Sequence, residues 1–545
     1  MGSQPFSVFK LSTLILHLIP ILFASRSLAA EVGCETDPVS KEIICEFTPN
    51  PSYCKSMLPN QTNNVYDYGR YAVRKSLSQS HKLLNLVNKY LQRNSTLSKT
   101  AILALEDCKL LAELNVDFLA SSLQTLNDTN RTLPSSKAED VHTWLSAVLT
   151  NQQTCLDGVQ ATSSSSSWRS MKNGLLLSNN TNLYSVSLAL FTKGWVPENE
   201  EDEEKEEEGE VITWRKRLLQ NFGDVLVRET VTVSQDGSGN FTTITDAVAA
   251  APVNTKGLNG YFLIYIKAGV YEEYVNIANT KNYLMMIGEG INQTVITGNR
   301  SVVDGWTTFN SATFVVIAPW FVAVNITFRN TAGAIKHQAV AVRNGGDLSA
   351  FYNCSFEGYQ DTLYTHSQRQ FYRDCNVYGT VDFIFGNAAA VFQKCNIYPR
   401  LPMRGQFNAI TAQGRADPNQ NTGIMIHNCT IRASDDLASD KGTTRTYLGR
   451  PWKEYSRTVY MKSFMDGCID REGWSKWTGD FALSTLYYAE YKCQGPGSNT
   501  SRRVTWPGYH ILKKAKQAKK FTVSKFLLGK KWLPQTGVPF SGGLI

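Results

Sequence analysis

The chain has 545 residues, of which 42% are hydrophobic, 19% charged and 11% aromatic. This length predicts two or three domains, and the composition excludes wholesale disorder and a collagen-like fibre. The formal net charge of +8 hides a strong asymmetry, because segment 198–210 holds ten acidic residues against one lysine. Segment 502–545 holds ten basic residues and no acidic one. This basic segment predicts a polyanionic partner or a wall-like matrix.

The chain begins with the features of a secretory signal peptide. Lys10 precedes an apolar run over 11–24, and small residues follow at 27–30. The run is shorter than the roughly 20 residues that span a bilayer and contains Pro20, so residues 1–30 are predicted to be removed. Twelve Asn-x-Ser/Thr sequons agree with passage through a glycosylating pathway. Without the signal, the protein is expected to be soluble or wall-bound, with no membrane contact.

Residues 31–197 are predicted to form an all-α four-helix bundle. Apolar residues recur at spacings of three and four between 101 and 123, and similar stripes run through 65–92, 138–160 and 171–191. Four helices, each with a single apolar face, indicate an up-and-down bundle.

Residues 198–217 are predicted to be an acidic linker that ends in a processing site. The like-charge block repels itself, which favours an extended and flexible chain. Arg215, Lys216 and Arg217 follow it, directly before Leu218 and Leu219. A basic cluster behind a flexible run is typical of a protease site, and a solvated linker end is the alternative.

Residues 218–545 have the sequence pattern of an all-β domain, in which short runs of β-branched and aromatic residues are separated by Gly and Asn. A short unit recurs in which a polar residue is followed by Cys, or once by Ile, then by a polar and an apolar residue. The units are 325–328, 353–356, 374–377, 394–397 and 428–431. Recurrence at such a period, with longer steps where loops are inserted, predicts a solenoid, preferably a right-handed parallel β-helix. A β-sandwich also has many short strands, but it does not explain the unit.

Eleven cysteines in a secreted chain predict disulfides with one thiol left over. Stacked coils lie roughly 4.8 Å apart, within the Cα separation that a disulfide accepts. The candidate pairs are Cys45–Cys54 and Cys108–Cys155 in the helical part, Cys354–Cys375 and Cys395–Cys429 with Cys375–Cys395 as their competitor, and Cys468–Cys493, which leaves Cys34.

The chemistry is indicated by two carboxylates, since the chain lacks G-x-S-x-G, H-E-x-x-H and P-loop motifs. Asp361 and Asp382 are separated by the same interval as Cys354 and Cys375, so a regular register places both on neighbouring coils. Such carboxylates do not both ionise freely, so one serves as general acid and the other as base or nucleophile. Aspartates that cap turns are the alternative. Flanking aromatic residues and the amide of Gln360 favour a sugar cleft with an oxyanion partner.

Four segments carry a specific resemblance. They are Gly-Tyr-Gln-Asp-Thr-Leu-Tyr at 358–364, Gly-Thr-Val-Asp-Phe-Ile-Phe-Gly at 379–386, Leu-Gly-Arg-Pro-Trp at 448–452, and Gly473-Trp474 with Trp477. On these segments the chain resembles plant pectin methylesterases that carry an N-terminal inhibitor-like pro-region. The cysteines of the helical part resemble those of the inhibitor bundle, and residues 215–219 are similar to the family's processing motif.

The resemblance implies a β-helix enzyme that hydrolyses the methyl esters of homogalacturonan to pectate and methanol, without metal or cofactor. It implies that Asp382 attacks the ester carbonyl and that Asp361 protonates methanol and then activates water. Gln360 and Gln338 would stabilise the oxyanion.

The resemblance further assigns three binding residues. Arg450 would hold Asp382 ionised and oriented, Trp452 would stack on a sugar ring, and Thr308 would contact the substrate. His337 and His366 are expected to be structural or peripheral. Trp474 and Trp477 are expected to belong to the core or to the wall of the groove rather than to the catalytic group. For Arg343, Arg369 and Arg373, a place on the cleft rim and a purely structural role are equally open.

The implied setting is the cell wall or apoplast after secretion. The pro-region is expected to pack on its own catalytic domain, near Trp452, until a protease cuts near Arg217. Separate inhibitor proteins are implied as further partners, and nucleic acid is not. One alternative is a β-helix polygalacturonase or lyase, since paired aspartates also cleave glycosidic bonds. The other alternative is an inactive wall-binding or inhibitory protein.

Overall fold

A computed structural model describes residues 37–92, 97–162, 166–197, 225–440 and 444–545. The predicted signal peptide, Cys34, the acidic linker and the basic processing motif lie outside the described residues. No helix in the described part is long and apolar enough to cross a membrane.

The N-terminal part is helical, as predicted. Its helices are α1 (Lys41–Ile44), α2 (Pro51–Met57), α3 (Val65–Leu91), α4 (Lys99–Leu126), α5 (Ser135–Ala161), α6 (Ser166–Leu177) and α7 (Thr181–Trp195). The four helices α3, α4, α5 and α7 pack around a shared apolar core that contains Tyr66 and Trp195. Asn64 and Ser98 cap the first turns of α3 and α4 through their side chains, which fixes where these helices begin.

The predicted helix over 171–191 is wrong in one respect, because it is interrupted between α6 and α7. At the interruption, the side chain of Asn179 accepts hydrogen bonds from the backbone N–H and the hydroxyl of Thr181. Local bonds of this kind compete with helical backbone bonds. The fourth helix of the bundle is therefore α7 alone.

Residues 227–511 form three parallel sheets that wind together as a β-helix, which confirms the predicted fold. A typical coil passes from sheet A to sheet C and then to sheet B. Sheet A contains Val227–Val233, Tyr261–Ile266, Leu284–Gly288, Val322–Val324, Ser349–Tyr352, Arg369–Arg373, Ala389–Gln393, Gly423–His427, Arg457–Met461, Tyr487–Tyr491 and Tyr509–Ile511. Sheet B contains Val275–Ile277, Phe314–Val316, Val342–Asn344, Leu363–Thr365, Ile384–Gly386, Asn408–Gln413 and Thr446–Gly449. Sheet C contains Gly269–Glu272, Thr294–Gly298, Thr327–Asn330, Ser355–Glu357, Asn376–Gly379, Asn396–Pro399, Thr430–Ile431 and Phe464–Met465.

The repeated unit of the sequence marks the corner between sheets A and C. Its first residue has a left-handed backbone in every copy, with φ of 59° at Asn325, 52° at Asn353, 50° at Asp374, 56° at Lys394 and 53° at Asn428. Asn and Asp tolerate this conformation better than other side chains with a Cβ. The second residue of each unit is buried in the coil interior. The recurrence therefore reflects a backbone requirement followed by a core position.

The disulfides of the helical part are confirmed, and those predicted elsewhere are wrong. Bonds join Cys45 to Cys54 and Cys108 to Cys155. The free thiols are Cys354, Cys375, Cys395, Cys429, Cys468 and Cys493. The first four of these stack in register, yet each Sγ donates to a backbone carbonyl, as Cys354 does to Ala323 at 3.5 Å. The four buried cysteines therefore form a stack of thiols along the coil interior rather than disulfides.

Short helices cover the β-helix. They are α8 (Ile244–Ala250), α9 (Asp435–Ala438), α10 (Ala515–Lys519), α11 (Val523–Phe526) and α12 (Leu533–Thr536). Buried residues of the C-terminal segment, including Trp532 and Leu533, pack on the outer face of sheet A. This packing holds the basic C-terminal segment against the strands that begin at Arg457 and Tyr487.

Candidate active site

Asp361 and Asp382 lie on neighbouring coils in matching positions. Each stands shortly before a strand of sheet B, and the strand residues Leu363 and Ile384 are paired in the parallel ladder. The N–H of Asp361 donates to the carbonyl of Val381 at 3.0 Å. Both aspartates have a left-handed backbone, with φ of 63° and 53°. The interval between them in the sequence therefore corresponds to one coil of the structure.

Arg450 fixes the carboxylate of Asp382. It follows the strand Thr446–Gly449, and its backbone N–H donates to Thr411 at 3.0 Å. Its Nε donates to Asp382 Oδ1 at 2.8 Å and its Nη2 donates to Oδ2 at 2.6 Å. The guanidinium also stacks 4.3 Å from the centre of the Trp477 ring. Two parallel charged hydrogen bonds restrict both the rotation and the protonation of this carboxylate.

The two carboxyl groups have different electrostatic surroundings. Burial and the charge of Asp382 raise the pKa of Asp361 well above its ordinary value. Burial also raises the pKa of Asp382, but the hydrogen bonds and charge of Arg450 oppose this. Asp361 is therefore the member of the pair that keeps its proton to higher pH, and Asp382 is the member that loses its proton first. A general acid and a carboxylate nucleophile in one site require such a difference in pKa.

All seven predicted site residues line one space, the central cavity, of about 490 Å³. They are Thr308, Gln338, Gln360, Asp361, Asp382, Arg450 and Trp452. Aromatic rings form much of its wall, since Tyr364 and Phe385 stack with centroids 4.2 Å apart and the Trp452 ring meets Phe385 at 6.0 Å. Trp477 is half-buried and lines the cavity as well. The arrangement combines ionisable groups, amide donors and flat apolar surfaces, as a carbohydrate site does.

The other residues that the sequence singled out lie around or outside this cavity. His337 is exposed, and His366 is buried against the helical part, where burial lowers its pKa to about 3. Arg343 is buried with its guanidinium 3.4 Å from the centre of the Phe309 ring. Arg369 pairs with Asp347 and with Asp140 of α5. Arg373 belongs to a strand of sheet A and bonds Gln393, and Trp474 is buried in the coil interior.

Residues of the helical part also reach the central cavity, which the sequence did not predict in detail. Asp107 of α4 accepts from Thr307 Oγ1 at 2.6 Å and from the amide of Asn310. Thr154 of α5 contacts His366 at 3.0 Å, and Asp157 accepts from Lys453 at 2.8 Å. The only signal for Asp107 is an acidic residue beside Cys108 on the apolar stripe of α4. A charged residue on a buried stripe requires a partner from another element.

Comparison with known proteins identifies the family. A family model described as pectinesterase matches residues 230–530, and one described as plant invertase/pectin methylesterase inhibitor matches residues 41–190. A probable pectinesterase/pectinesterase inhibitor of Arabidopsis thaliana is 56% identical and covers 99% of each chain. Pectinesterase 2 of Citrus sinensis is 46% identical over 92% of this chain and 94% of its own length. Pectin methylesterase from carrot, a solved structure, shares 53% identity at a TM-score of 0.57, over 58% of this chain and 98% of its own. The chain belongs to the pectinesterase family, as a pectin methylesterase that carries an inhibitor-like helical part on its N-terminal side.

Proposed function

We propose that Asp382 is the nucleophile and Asp361 the general acid and base with which this enzyme removes methyl groups from homogalacturonan. The observation that carries this assignment is the bidentate contact of Arg450 with Asp382. Asp361 lies one coil away, and its pKa is raised more strongly than that of Asp382. An ionised carboxylate beside a protonated one is the pair that acyl transfer needs.

The reaction follows from these positions. A carboxylate oxygen of Asp382 attacks the ester carbon, and the carbonyl electron pair moves onto oxygen to give a tetrahedral oxyanion. The side-chain amides of Gln360 and Gln338 supply N–H donors to this oxyanion, where one such donor typically contributes about 3 to 4 kcal/mol. The intermediate collapses to an anhydride, and methanol leaves with the proton of Asp361.

The second half restores the enzyme. Asp361, now ionised, takes a proton from water, and the hydroxide oxygen attacks the galacturonyl carbon of the anhydride. The bond to Asp382 breaks, so that the product leaves as a carboxylic acid and Asp382 is again a carboxylate beside a protonated Asp361. The released acid then loses its proton to solvent and becomes pectate. Arg450 stabilises that carboxylate in the resting state, and Trp452 offers an aromatic face to a sugar ring.

We also propose that the helical part, as a pro-region, keeps the enzyme inactive. Residues of α4 and α5 line the central cavity together with Asp361 and Asp382. Apolar residues of both helices share one buried cluster with Phe309, Tyr364 and Phe385. A polymer that must lie along the cavity competes with these contacts, so separation of the two parts precedes activity.

The proposed domains are the signal peptide at 1–30, the pro-region at 31–197, the linker with its processing site at 198–217, and the catalytic domain at 218–545. Secretion to the cell wall or apoplast, cleavage near Arg217 by a protease, and separate inhibitor proteins as further partners belong to the same proposal. The basis is the signal-like N-terminus and the basic cluster behind the acidic block.

The test is methanol release from highly methylated pectin, measured for the uncut chain and for the chain cut after Arg217. The cut chain is expected to release methanol, the uncut chain far less, and the Asp382→Asn variant of the cut chain none above background. Full activity of Asp382→Asn would refute the assignment of the nucleophile. Equal activity of uncut and cut chains would refute inhibition by the pro-region and leave the chemistry untouched.

A further inference from the structure

A second cavity, of about 360 Å³, lies where the helical part meets the C-terminal segment. It shares no lining residue with the central cavity. Four cationic side chains line it, namely Arg415, Arg457, Lys520 and Lys525. We call this space the cationic cavity. Glu139 and Thr192 of the helical part also line it, as does Asn421 of the loop before the strand Gly423–His427.

Two of these cations form no ion pair with a carboxylate of the described chain. Arg415 donates from Nε to the carbonyl of Gln420 at 2.8 Å, and its other nitrogens face the carbonyls of Pro418 and Tyr455. Arg457 begins a strand of sheet A, and its guanidinium has no hydrogen bond or ion pair with any residue that the structure describes. Backbone carbonyls orient Arg415, whose only described counter-charge is the nearby Asp417, and no described carboxylate pairs with Arg457.

The lysines add to the excess of positive charge. Lys520 lies over the Tyr487 ring at 5.4 Å and Lys525 is exposed, and neither forms an ion pair within the described chain. Lys520 directly follows α10 and Lys525 belongs to α11. Ala518 and Val523 bury these two helices against sheet A, which fixes the backbone of both lysines relative to Arg457. The backbone positions of the cluster are therefore preformed, while the two lysine side chains remain exposed.

The nearby carboxylates form their hydrogen bonds with other residues, although the charge of Asp417 partly offsets the burial of Arg415. Glu139 accepts from the amide of Asn421 at 2.6 Å, and burial raises its pKa to about 7. Asp417 accepts from Ser185 and from Asn419. Burial lowers the pKa of Arg415 to about 9 and that of Arg457 to about 10, and the charge of Arg457 contributes to the lowered pKa of Arg415. An anion bound between them would remove this electrostatic cost.

We propose that the cationic cavity binds carboxylate groups of de-esterified homogalacturonan, at a site separate from the central cavity. A small anion would contact only the cavity. A polymer with regularly spaced carboxylates also reaches the basic stretch 513–531, which carries eight lysines and no acidic residue. Pectate, the product of this family's reaction, is such a polymer. All four cations belong to the catalytic domain and remain on it when the pro-region separates. Binding to them keeps the cut enzyme on the chain that it has just de-esterified.

The test uses the intact full-length chain, in which the pro-region residues stand in the central cavity and the cationic cavity is open. Binding of a fully de-esterified oligogalacturonate is measured by calorimetry for the wild type and for Lys525→Gln and Arg457→Gln. Lys256→Gln is the matched control, because it removes one exposed charge far from the cavity in the sequence. The fully methyl-esterified oligomer and inorganic phosphate are the reference ligands.

Each cavity variant is expected to weaken oligogalacturonate binding by about tenfold or more, since each removes a charged hydrogen bond, while Lys256→Gln stays near the wild type. Lys525 is exposed, so Lys525→Gln tests the site even where Arg457→Gln fails to fold. An equal loss in Lys256→Gln would overturn the proposal in favour of diffuse surface charge. Binding of phosphate as tight as that of the oligomer would overturn the polymer as its ligand.

The same variants separate this site from the chemistry. Methanol release from fully esterified pectin by the cut chain is expected to stay within about twofold of the wild type in Lys525→Gln, because the residue does not line the central cavity. A large loss of methanol release together with the loss of binding would mean that the residue supports the catalytic domain as a whole, and would overturn the separate site. If Asp382→Asn still released methanol, the assignment of the nucleophile would be refuted, and the proposal for the cationic cavity would stand.

Discussion

Replacement of Arg450 by Met tests the electrostatic core of the proposed mechanism. The variant keeps much of the stem that packs near Trp477 and removes both hydrogen bonds to Asp382, which are 2.8 and 2.6 Å long. Asp382 is buried and one coil from Asp361, so without the guanidinium nothing opposes the effect of burial on its pKa. The carboxylate is then expected to protonate in the range where the wild type is active.

The size of the effect follows from the geometry. An opposite charge within about 4 to 6 Å lowers the pKa of a carboxyl by roughly 1 to 3 units. Each unit corresponds to about 1.4 kcal/mol, so the loss of Arg450 weakens the ionised form of Asp382 by roughly 1.4 to 4 kcal/mol. Activity requires this form, and a raised pKa moves the acid limb upward. The acid limb of kcat/KM is therefore expected to shift to higher pH by about 1 to 3 units.

The assay is the pH profile of methanol release by the chain cut after Arg217. Arg450→Lys is the matched control, because it keeps the charge and loses the bidentate geometry, so its acid limb is expected to lie between those of wild type and Arg450→Met. Activity of Arg450→Met should partly recover above the new limb. An acid limb that stays in place while the rate falls at every pH would refute the electrostatic role and leave Arg450 as a substrate contact only.

Three further predictions concern the oxyanion, the pro-region contact and the disulfide. Gln360→Ala is expected to lower kcat by about 10² to 10³ with little change in KM, as loss of one oxyanion donor does; a rise in KM alone would contradict this role. Burial raises the pKa of Asp107 and of Glu139 to about 7, so the contact binds protons, is favoured at low pH and weakens as pH rises through 7. Methanol release by the uncut chain is expected to increase over that range and to do so less steeply in Asp107→Asn, and a profile unchanged by the substitution would exclude this carboxyl as the cause. Joint replacement of Cys108 and Cys155 by Ser opens a loop with a sequence separation of 47 and is expected to lower the free energy of unfolding of the helical part by about 4 kcal/mol, measured by urea denaturation with helical circular dichroism; an unchanged midpoint would argue against the chain-entropy account.

The β-helix and the aspartate pair were accessible from the sequence because both depend on local rules that repeat. A left-handed corner favours Asn or Asp, which occupy it in four of the five units, and the next position is buried. Residues 353 and 374 therefore mark the start and end of one coil. The same interval separates Asp361 from Asp382. Once the register is known, the parallel ladder determines that their carboxyl groups are neighbours.

Other features were not accessible because they depend on distances between distant parts of the chain. The stacking of Cys354 and Cys375 was predicted, but their thiol state was not, since a backbone carbonyl within reach of each Sγ is visible only in three dimensions. The break between α6 and α7 depends on one side chain, that of Asn179, which accepts a hydrogen bond from the backbone N–H of Thr181. Arg457 and Lys525 line the same cavity only because the C-terminal segment folds back over sheet A.

The contrast between the two cavities explains why their charges are arranged differently. In the central cavity, Arg450 is matched by Asp382, because the reaction needs one defined carboxylate and a substrate whose ester is uncharged. In the cationic cavity, no described carboxylate pairs with Arg457. In the proposed complex, a carboxylate of the ligand supplies the missing negative charge. An uncharged methyl ester gains nothing from unmatched cations, whereas each carboxylate that hydrolysis produces does. The same reaction that removes substrate from the first cavity therefore creates the ligand for the second, and retention on the polymer is expected to grow as de-esterification proceeds.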